Sequence, residues 1–428
     1  MFNFLNKDSI LNNFYFIKKD FFYIKKLPML LILFFPYALI IGPFFSDLVV
    51  SLLAVLYLYI SWKNKLLYEF KSPIVIYIII FWLYCLTRSL FSVDPLLSLE
   101  SSLFYCRFLL FALCIKYYLE KFPELYFYIG VSLWSAMVIV TFDALYQNFF
   151  DYNLLGWRRQ DHLRISGLFD DEYVIGSYLS RLFPLGFFFI ASRKKINMWL
   201  AYLSLFFIMI VDILIYLSGE RAAFLYLFLV TILIIVLTKR IRFIRTVTFV
   251  LSIIVIIILS NIVPTAKIRM VDTTISQMGL DKGSSKINMF SIEHEKIFDS
   301  AAKMFFDNPI FGQGPKMFRI LCKKIEFDTG GCSTHPHNTY IQLLSETGIA
   351  GASMIVILFI VIIYIFIKQF ISLYIKKSYF YIDDSKICLL ICFFITLWPF
   401  IPTANFFNNW INGIYYFPLG FYLAKKSI

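Results

Sequence analysis

Apolar residues run in long, nearly uninterrupted blocks, about a dozen times along the chain, with short polar or basic stretches between them. A block of roughly 20 such residues crosses a bilayer as a helix. In hydrocarbon the backbone must satisfy its own hydrogen bonds, and a helix does so within one segment. Of 428 residues, 60% are hydrophobic, 20% aromatic and 16% charged, against roughly 25% charged in soluble domains. A disordered chain, a fibrous repeat, a disulfide-stapled miniprotein and an ordinary soluble enzyme are excluded. The predicted fold class is an all-α polytopic membrane protein of about twelve transmembrane helices.

The predicted spans are Pro28–Phe45, Leu48–Trp62, Pro73–Phe91, Ser101–Leu119, Tyr126–Gln147 and Tyr173–Ala191, followed by Asn197–Leu217, Ala222–Thr238, Thr246–Val263, Ile349–Ile367, Ile387–Pro402 and Trp410–Ala424. The net charge is 40 − 27 = +13. Its basic residues cluster between spans: Lys18, Lys19, Lys25 and Lys26; Lys63, Lys65 and Lys71; Arg193 to Lys195; Lys239, Arg240, Arg242 and Arg245; Lys376, Lys377 and Lys386; Lys425 and Lys426. With this helix count all of them fall on one side, and the positive-inside rule makes that side cytoplasmic. The charge therefore reflects topology, and nucleic acid is not an expected partner. The segment 1–27 is predicted to lie in the cytoplasm, without a cleavable signal pattern. Residues 28–263 would carry nine spans and an outer loop at 149–172. A long outer loop with a short helix would fill 264–348, and three spans 349–428. A polar stretch of this length among short connections is where binding or chemistry is expected.

Five of the seven cysteines lie in apolar blocks and read as buried hydrophobes. Cys322 and Cys332 lie in the long loop, either paired or as two free thiols.

Three patterns carry candidate chemistry. In His335-Pro336-His337-Asn338, a helix capped by Ser333 or Thr334 is predicted, with Pro336 in its first turn and Gly348 at its left-handed end. His337 in that first turn would stay neutral and take a proton; the blander alternative is a histidine that caps the loop. In Leu217-Ser218-Gly219-Glu220-Arg221, Arg221 keeps its charge at the edge of hydrocarbon. It needs an anion, either Glu220, a lipid phosphate or a substrate phosphate, or else it snorkels to headgroups. Arg158, Arg159 and Arg164 cluster just outside the membrane and would bind diphosphate. Asp170, Asp171 and Glu172 follow them, and neutralising the arginines is favoured over holding a metal. Arg269, beyond the ninth span, is a further candidate. Within the spans, Arg107 and Asp143 are placed to pair between helices. A transporter would show charges and broken helices at mid-membrane in repeated halves. Here the candidate groups lie at the outer edge, which favours an enzyme.

These residues resemble the O-antigen ligase and O-antigen polymerase superfamily of bacterial envelope glycosyltransferases. The hallmark is similar to His337-Asn338, nine residues, then Gly348 and Gly351 three on. Asn308-Pro309 with Gly312 and Gly314, the Ser218–Arg221 turn, and Arg164-Ile165-Ser166-Gly167 with Phe169 resemble further family segments. Asp170-Asp171-Glu172 stands where the family often has an Asn-Pro-Asn-like stretch. The related protein O-oligosaccharyltransferases usually carry a soluble C-terminal extension, which sets them apart from this sequence. The resemblance implies a GT-C-like architecture in the inner membrane, its long loop and active site facing the periplasm. It implies metal-independent, inverting glycosyl transfer with no cofactor. The implied donor is a glycan on undecaprenyl diphosphate. The implied acceptor is a hydroxyl of lipid A–core for a ligase, or of another lipid-linked unit for a polymerase; the ligase is the leading expectation. His337 would be the base and Arg221 its catalytic partner, with Arg164, Arg269, Asn338, Arg158 and Arg159 binding substrate.

Overall fold

The computed structural model describes residues 26–193, 198–278, 290–375 and 380–424. All but the end of the expected cytoplasmic segment 1–27 lies outside these residues. So do Lys18, Lys19, Lys25, Lys194, Lys195, Lys376, Lys377, Lys425 and Lys426 of the basic clusters. The regular elements among the described residues are all helices, with no strand; one bridge pairs Tyr152 with Arg158.

A helix stands at each of the twelve expected places: α1 (Leu27–Ile41), α2 (Pro43–Asn64), α3 (Pro73–Leu90), α4 (Pro95–Ser102) running into α5 (Cys106–Lys121), α6 (Leu125–Phe150), α7 (Ile175–Ala191), α8 (Met198–Leu217), α9 (Arg221–Leu237), α10 (Arg242–Ile262), α12 (Thr339–Tyr374), α13 (Asp384–Thr396) and α14 (Asn409–Leu423), with α11 (Ile292–Asp307) in the long loop. Six are long and apolar enough to cross a membrane: α2, α3, the continuous α4–α5 segment, α6, α10 and α12. α1, α7, α9 and residues Leu203–Leu217 of α8 are apolar but shorter. The first expected span, Pro28–Phe45, is cut in two. Gly42 at φ 141° turns the chain, and Pro43 opens the next helix.

A continuous apolar core joins the helices. Their outward faces carry Phe44, Val55, Phe142 and Ile257, each more than half exposed. Apolar residues exposed this widely suit contact with lipid, so the chain is membrane-embedded. The long loop has its own small core of Ala301, Met304, Met317, Phe318, Leu321 and Phe327. Cys322 and Cys332 form a disulfide within it. Cys85, Cys114, Cys388 and Cys392 are buried, and Cys106 is half-buried.

Two expectations about charges in the spans are corrected. Arg107 pairs with Asp47 at 2.7 Å, not with Asp143, whose carboxylate accepts the Leu154 N–H at 2.9 Å. Arg245, grouped above with loop cations, lies inside α10, fully buried. It donates to both oxygens of Asp212 at 2.7 and 3.1 Å, and Ser252 donates to the same carboxylate. Removing a charge from water is costly unless it is paired and hydrogen-bonded, which is why the pair forms here.

Candidate active site

The turn between α8 and α9 is held from three directions. Ser218 Oγ donates to the Ile215 carbonyl and accepts the Glu220 N–H. Gly219, at φ 73°, lies against the Leu163 carbonyl, 2.5 Å from where a Cβ would sit. Glu220 turns away from Arg221 and accepts the N–H groups of Gly176 (2.5 Å) and Ser177 (3.0 Å) at the start of α7. A carboxylate at a helix N-terminus satisfies orphan donors and complements the dipole. Burial nevertheless pushes its carboxyl up to about 7, opposed by those N–H bonds and by Arg164. Glu220 is thus not the hydrogen-bonding anion of Arg221.

Arg221 instead donates to Gln277 Oε1 at 2.7 Å and to Thr274 Oγ1 at 3.3 Å. Arg269 donates to the Gly219 carbonyl at 3.4 Å. Arg164 stacks on the Tyr173 ring at 4.2 Å and donates to its carbonyl, leaving its buried Nε unbonded. The stems of Arg164 and Arg269 both reach within 3.3 Å of the missing Cβ of Gly219. Three guanidinium groups therefore crowd one turn. Among the described residues, none of the three makes an ion pair with a carboxylate. Like charges gathered this way are suited to an anion with several oxygens, such as a diphosphate.

The neighbouring arginines serve differently. Arg159 donates to the carbonyls of Asp161, His162 and Arg164 and so braces the Arg164 loop. Arg158 is exposed, its backbone bridged to Tyr152. Asp170, Asp171 and Glu172 are exposed. No group of three metal-ligating side chains occurs among the described residues.

The histidine motif differs in register from the expectation. The helix starts at Thr339, capped by Asn338, whose Oδ1 accepts the N–H groups of Tyr340 and Ile341. Asn338 Nδ2 donates to the Pro399 carbonyl at 2.7 Å. His337 therefore precedes the helix, at φ 56°, its carbonyl held by the Thr403 N–H at 2.8 Å. Its Nε2 lies 3.0 Å from Ser333 Oγ. The His335 and His294 rings stand 4.1 and 5.5 Å from its own, centre to centre. Burial, and then the neighbouring His294, lower its pKa below the ordinary imidazole value. It is neutral near pH 7, for that reason and not because of a helix dipole.

His294 and His335 were not foreseen as members of the site. His294, in α11, is lowered by burial and, more weakly, by the Arg221 charge. Its ring stands against that of His337 and feels the charge of Arg221. Burial pushes His335 down to about 4, with His337 and Arg319 adding to the shift. The signal for His335 was its place two residues before His337. Nothing local marked His294, which lies 43 residues upstream.

The two glycine motifs support this arrangement. Gly348, at φ 62° and ψ −170°, breaks α12 without ending it. The freed carbonyls of Ser345 and Glu346 accept from Gln313 and Gly314, and the freed N–H groups of Ile349 and Ala350 donate to Pro309 and Ile310. The 309–314 turn thus satisfies the backbone groups that the kink orphans. Gly312 approaches this backbone so closely that a Cβ would lie 2.5 Å from it. Arg88 of α3 clamps the Gly312 carbonyl with Nε and Nη2.

An apolar cavity of about 190 Å³ lies between α3, α12, α13 and α14, lined by Tyr77, Phe81, Ile362, Phe393, Leu397 and Phe406 among others. Leu397 and Phe406 also bound the segment that carries Thr403 to His337. Grease thus adjoins the polar site.

No curated protein matches the chain. A family model described as O-antigen ligase matches residues 204–356, a stretch that holds Arg221, Arg269, His337 and the glycine pair but not Arg164. Over residues 204–356 the chain is thus similar to the O-antigen ligase family, which supports the resemblance drawn from its motifs.

Proposed function

We propose that this protein is an O-antigen ligase of the bacterial inner membrane. It transfers a glycan from undecaprenyl diphosphate to a sugar hydroxyl of lipid A–core at the periplasmic face. The reading rests above all on one observation: a half-buried neutral histidine stands beside His294, which feels the charge of Arg221, one of three guanidinium groups at a single turn that, among the described residues, make no ion pair with a carboxylate.

In this mechanism His337 takes the proton of the acceptor hydroxyl as its oxygen attacks the anomeric carbon. The new C–O bond forms as the bond to the diphosphate oxygen breaks, with inversion. The electron pair leaves on the diphosphate, where Arg221, Arg164 and Arg269 meet the growing negative charge. Charge stabilisation is assigned to arginines and calls for no metal. Asn338 and Arg159 act by positioning, the first setting the start of α12 and the second the Arg164 loop. Arg158 remains a candidate contact at the rim. The polyprenyl tail lies in apolar grooves of the bundle. Twelve spans, with 149–172 and 264–348 outside and 28–148, 173–263 and 349–428 forming the bundle, carry the site. The Cys322–Cys332 disulfide supports an oxidising compartment for the long loop.

Deletion of the gene, followed by a lipopolysaccharide gel, tests this reading. A ligase deletion leaves core without O-chain, and long polymer accumulates on the carrier. Core bearing one repeat unit identifies a polymerase instead. Complementation with Arg221→Lys is expected to fail, because an ammonium cannot hold a diphosphate in bidentate fashion. Wild-type transfer by that variant reduces Arg221 to a headgroup contact.

A further inference from the structure

Arg319 is a cation that the mechanism above does not use. It sits on the short helix Phe318–Leu321 in the long loop. The Phe318 N–H donates to Glu346 Oε1, and Cys322, three residues after Arg319, is bonded to Cys332, next to Ser333, which touches His337. The short helix that carries Arg319 is thus fixed beside the segment that holds the histidines. Its Nε is buried and bonds nothing. The carboxylate whose charge it meets, Glu346, already accepts from Phe318 and from Gln342 Nε2. A buried guanidinium donor without an acceptor is costly unless a ligand supplies one.

His294 and His335 flank His337 ring to ring, and the charge of Arg221 reaches the first while that of Arg319 reaches the second. The base therefore lies between two cationic sites. The arginine trio fits the donor diphosphate, and a transferase needs a second substrate at the same base. We propose that Arg319 is the acceptor-side specificity residue, binding a carboxylate or phosphate carried by the acceptor glycan near the attacking hydroxyl. This inference rests on the transferase reading above.

The test uses the full-length protein in lipid nanodiscs, with carrier-linked glycan as donor and lipid A–core as acceptor. Arg319→Gln raises the acceptor KM about tenfold or more, the scale of a lost charge-assisted hydrogen bond, and leaves the donor KM unchanged, which also shows that the variant is folded. Arg319→Lys recovers part of the loss. Two modified acceptors tell the anions apart: core with its sugar carboxyls reduced to alcohols, and core treated with phosphatase. The modification that removes the bound group raises the wild-type KM and leaves the glutamine variant indifferent. An unchanged acceptor KM in Arg319→Gln overturns the inference, as does a rise in donor KM alone. A fall in kcat with a displaced pH profile and an unchanged acceptor KM also overturns it, making Arg319 a positioning residue for His335. If wild-type protein transfers nothing to any acceptor, the transferase reading itself fails, and this inference with it.

Discussion

His337 carries the chemistry proposed here, and its environment fixes when it can act. Burial and the nearby His294 hold its pKa below the ordinary value, so the base form is lost only under acid conditions. For a histidine shifted this way, the folded state binds fewer protons than the unfolded chain, and acid weakens both activity and fold. The kcat/KM of transfer is therefore expected to rise with pH along an acid limb below the usual imidazole range, then level off. His294→Ala removes a neighbour that becomes a cation only in acid, together with part of the burial around His337, and moves that limb to higher pH. A pH–rate series on both proteins checks this, and an unmoved limb would mean that another group titrates. His337→Ala is expected to lower transfer by roughly 10²- to 10⁴-fold, the usual yield of a positioned base, with thermal unfolding in detergent close to wild type. Full activity of that variant removes the histidine from the mechanism.

At the level of elements, the site depends on an interlock between the Gly348 kink and the 309–314 turn. Because Gly348 sits at φ 62° with the Ile310 carbonyl 2.3 Å from where its Cβ would be, Gly348→Ala suffers both strain and collision. It is expected to cost more than about 2 kcal/mol, read as a thermal unfolding midpoint several degrees lower. An unchanged midpoint would mean that the turn and kink are not packed as described. The helices themselves were legible because a bilayer demands apolar blocks whatever their partners. The breaks were harder to read. Gly42 divides one apolar block, and only the backbone conformation shows it. Pro336 signals a helix start, yet Asn338 is the residue that caps α12, since its side chain reaches two N–H groups. Proximity and motif mark Arg159 and Asn338 as expected substrate ligands, and only the folded structure shows that their side chains also hold the protein's own backbone. Glu220 was a natural partner for Arg221 by adjacency, but α7 brings two unsatisfied N–H groups closer to it. Contacts between residues distant in sequence, such as His294 with His337, leave no local trace.

Across the whole molecule, the polar site at one end of the bundle is balanced by a buried ion pair toward the other. Asp212 of α8 and Arg245 of α10 meet in the core, with Thr231 of α9 also accepting from Arg245, so three helices are joined at one point. Arg245 is separated from the far end of α10 by about 25 Å of helix, at 1.5 Å per residue. Arg269 lies beyond that end, so the pair cannot touch the diphosphate site. Its role is then structural, and its energetics follow from desolvation. Arg245→Met leaves the Asp212 carboxylate buried without its partner, which costs roughly 3–5 kcal/mol. Replacing both charges, Asp212→Leu with Arg245→Met, removes the stranded charge and is expected to recover most of that loss. Turnover per folded molecule should match wild type in the double variant. Thermal unfolding in detergent and single-turnover transfer check the two halves separately. A double variant as unstable as Arg245→Met alone would show that the pair's shape, and not its charge balance, holds α8, α9 and α10 together. A stable double variant without turnover would place the pair in the catalytic cycle despite its distance.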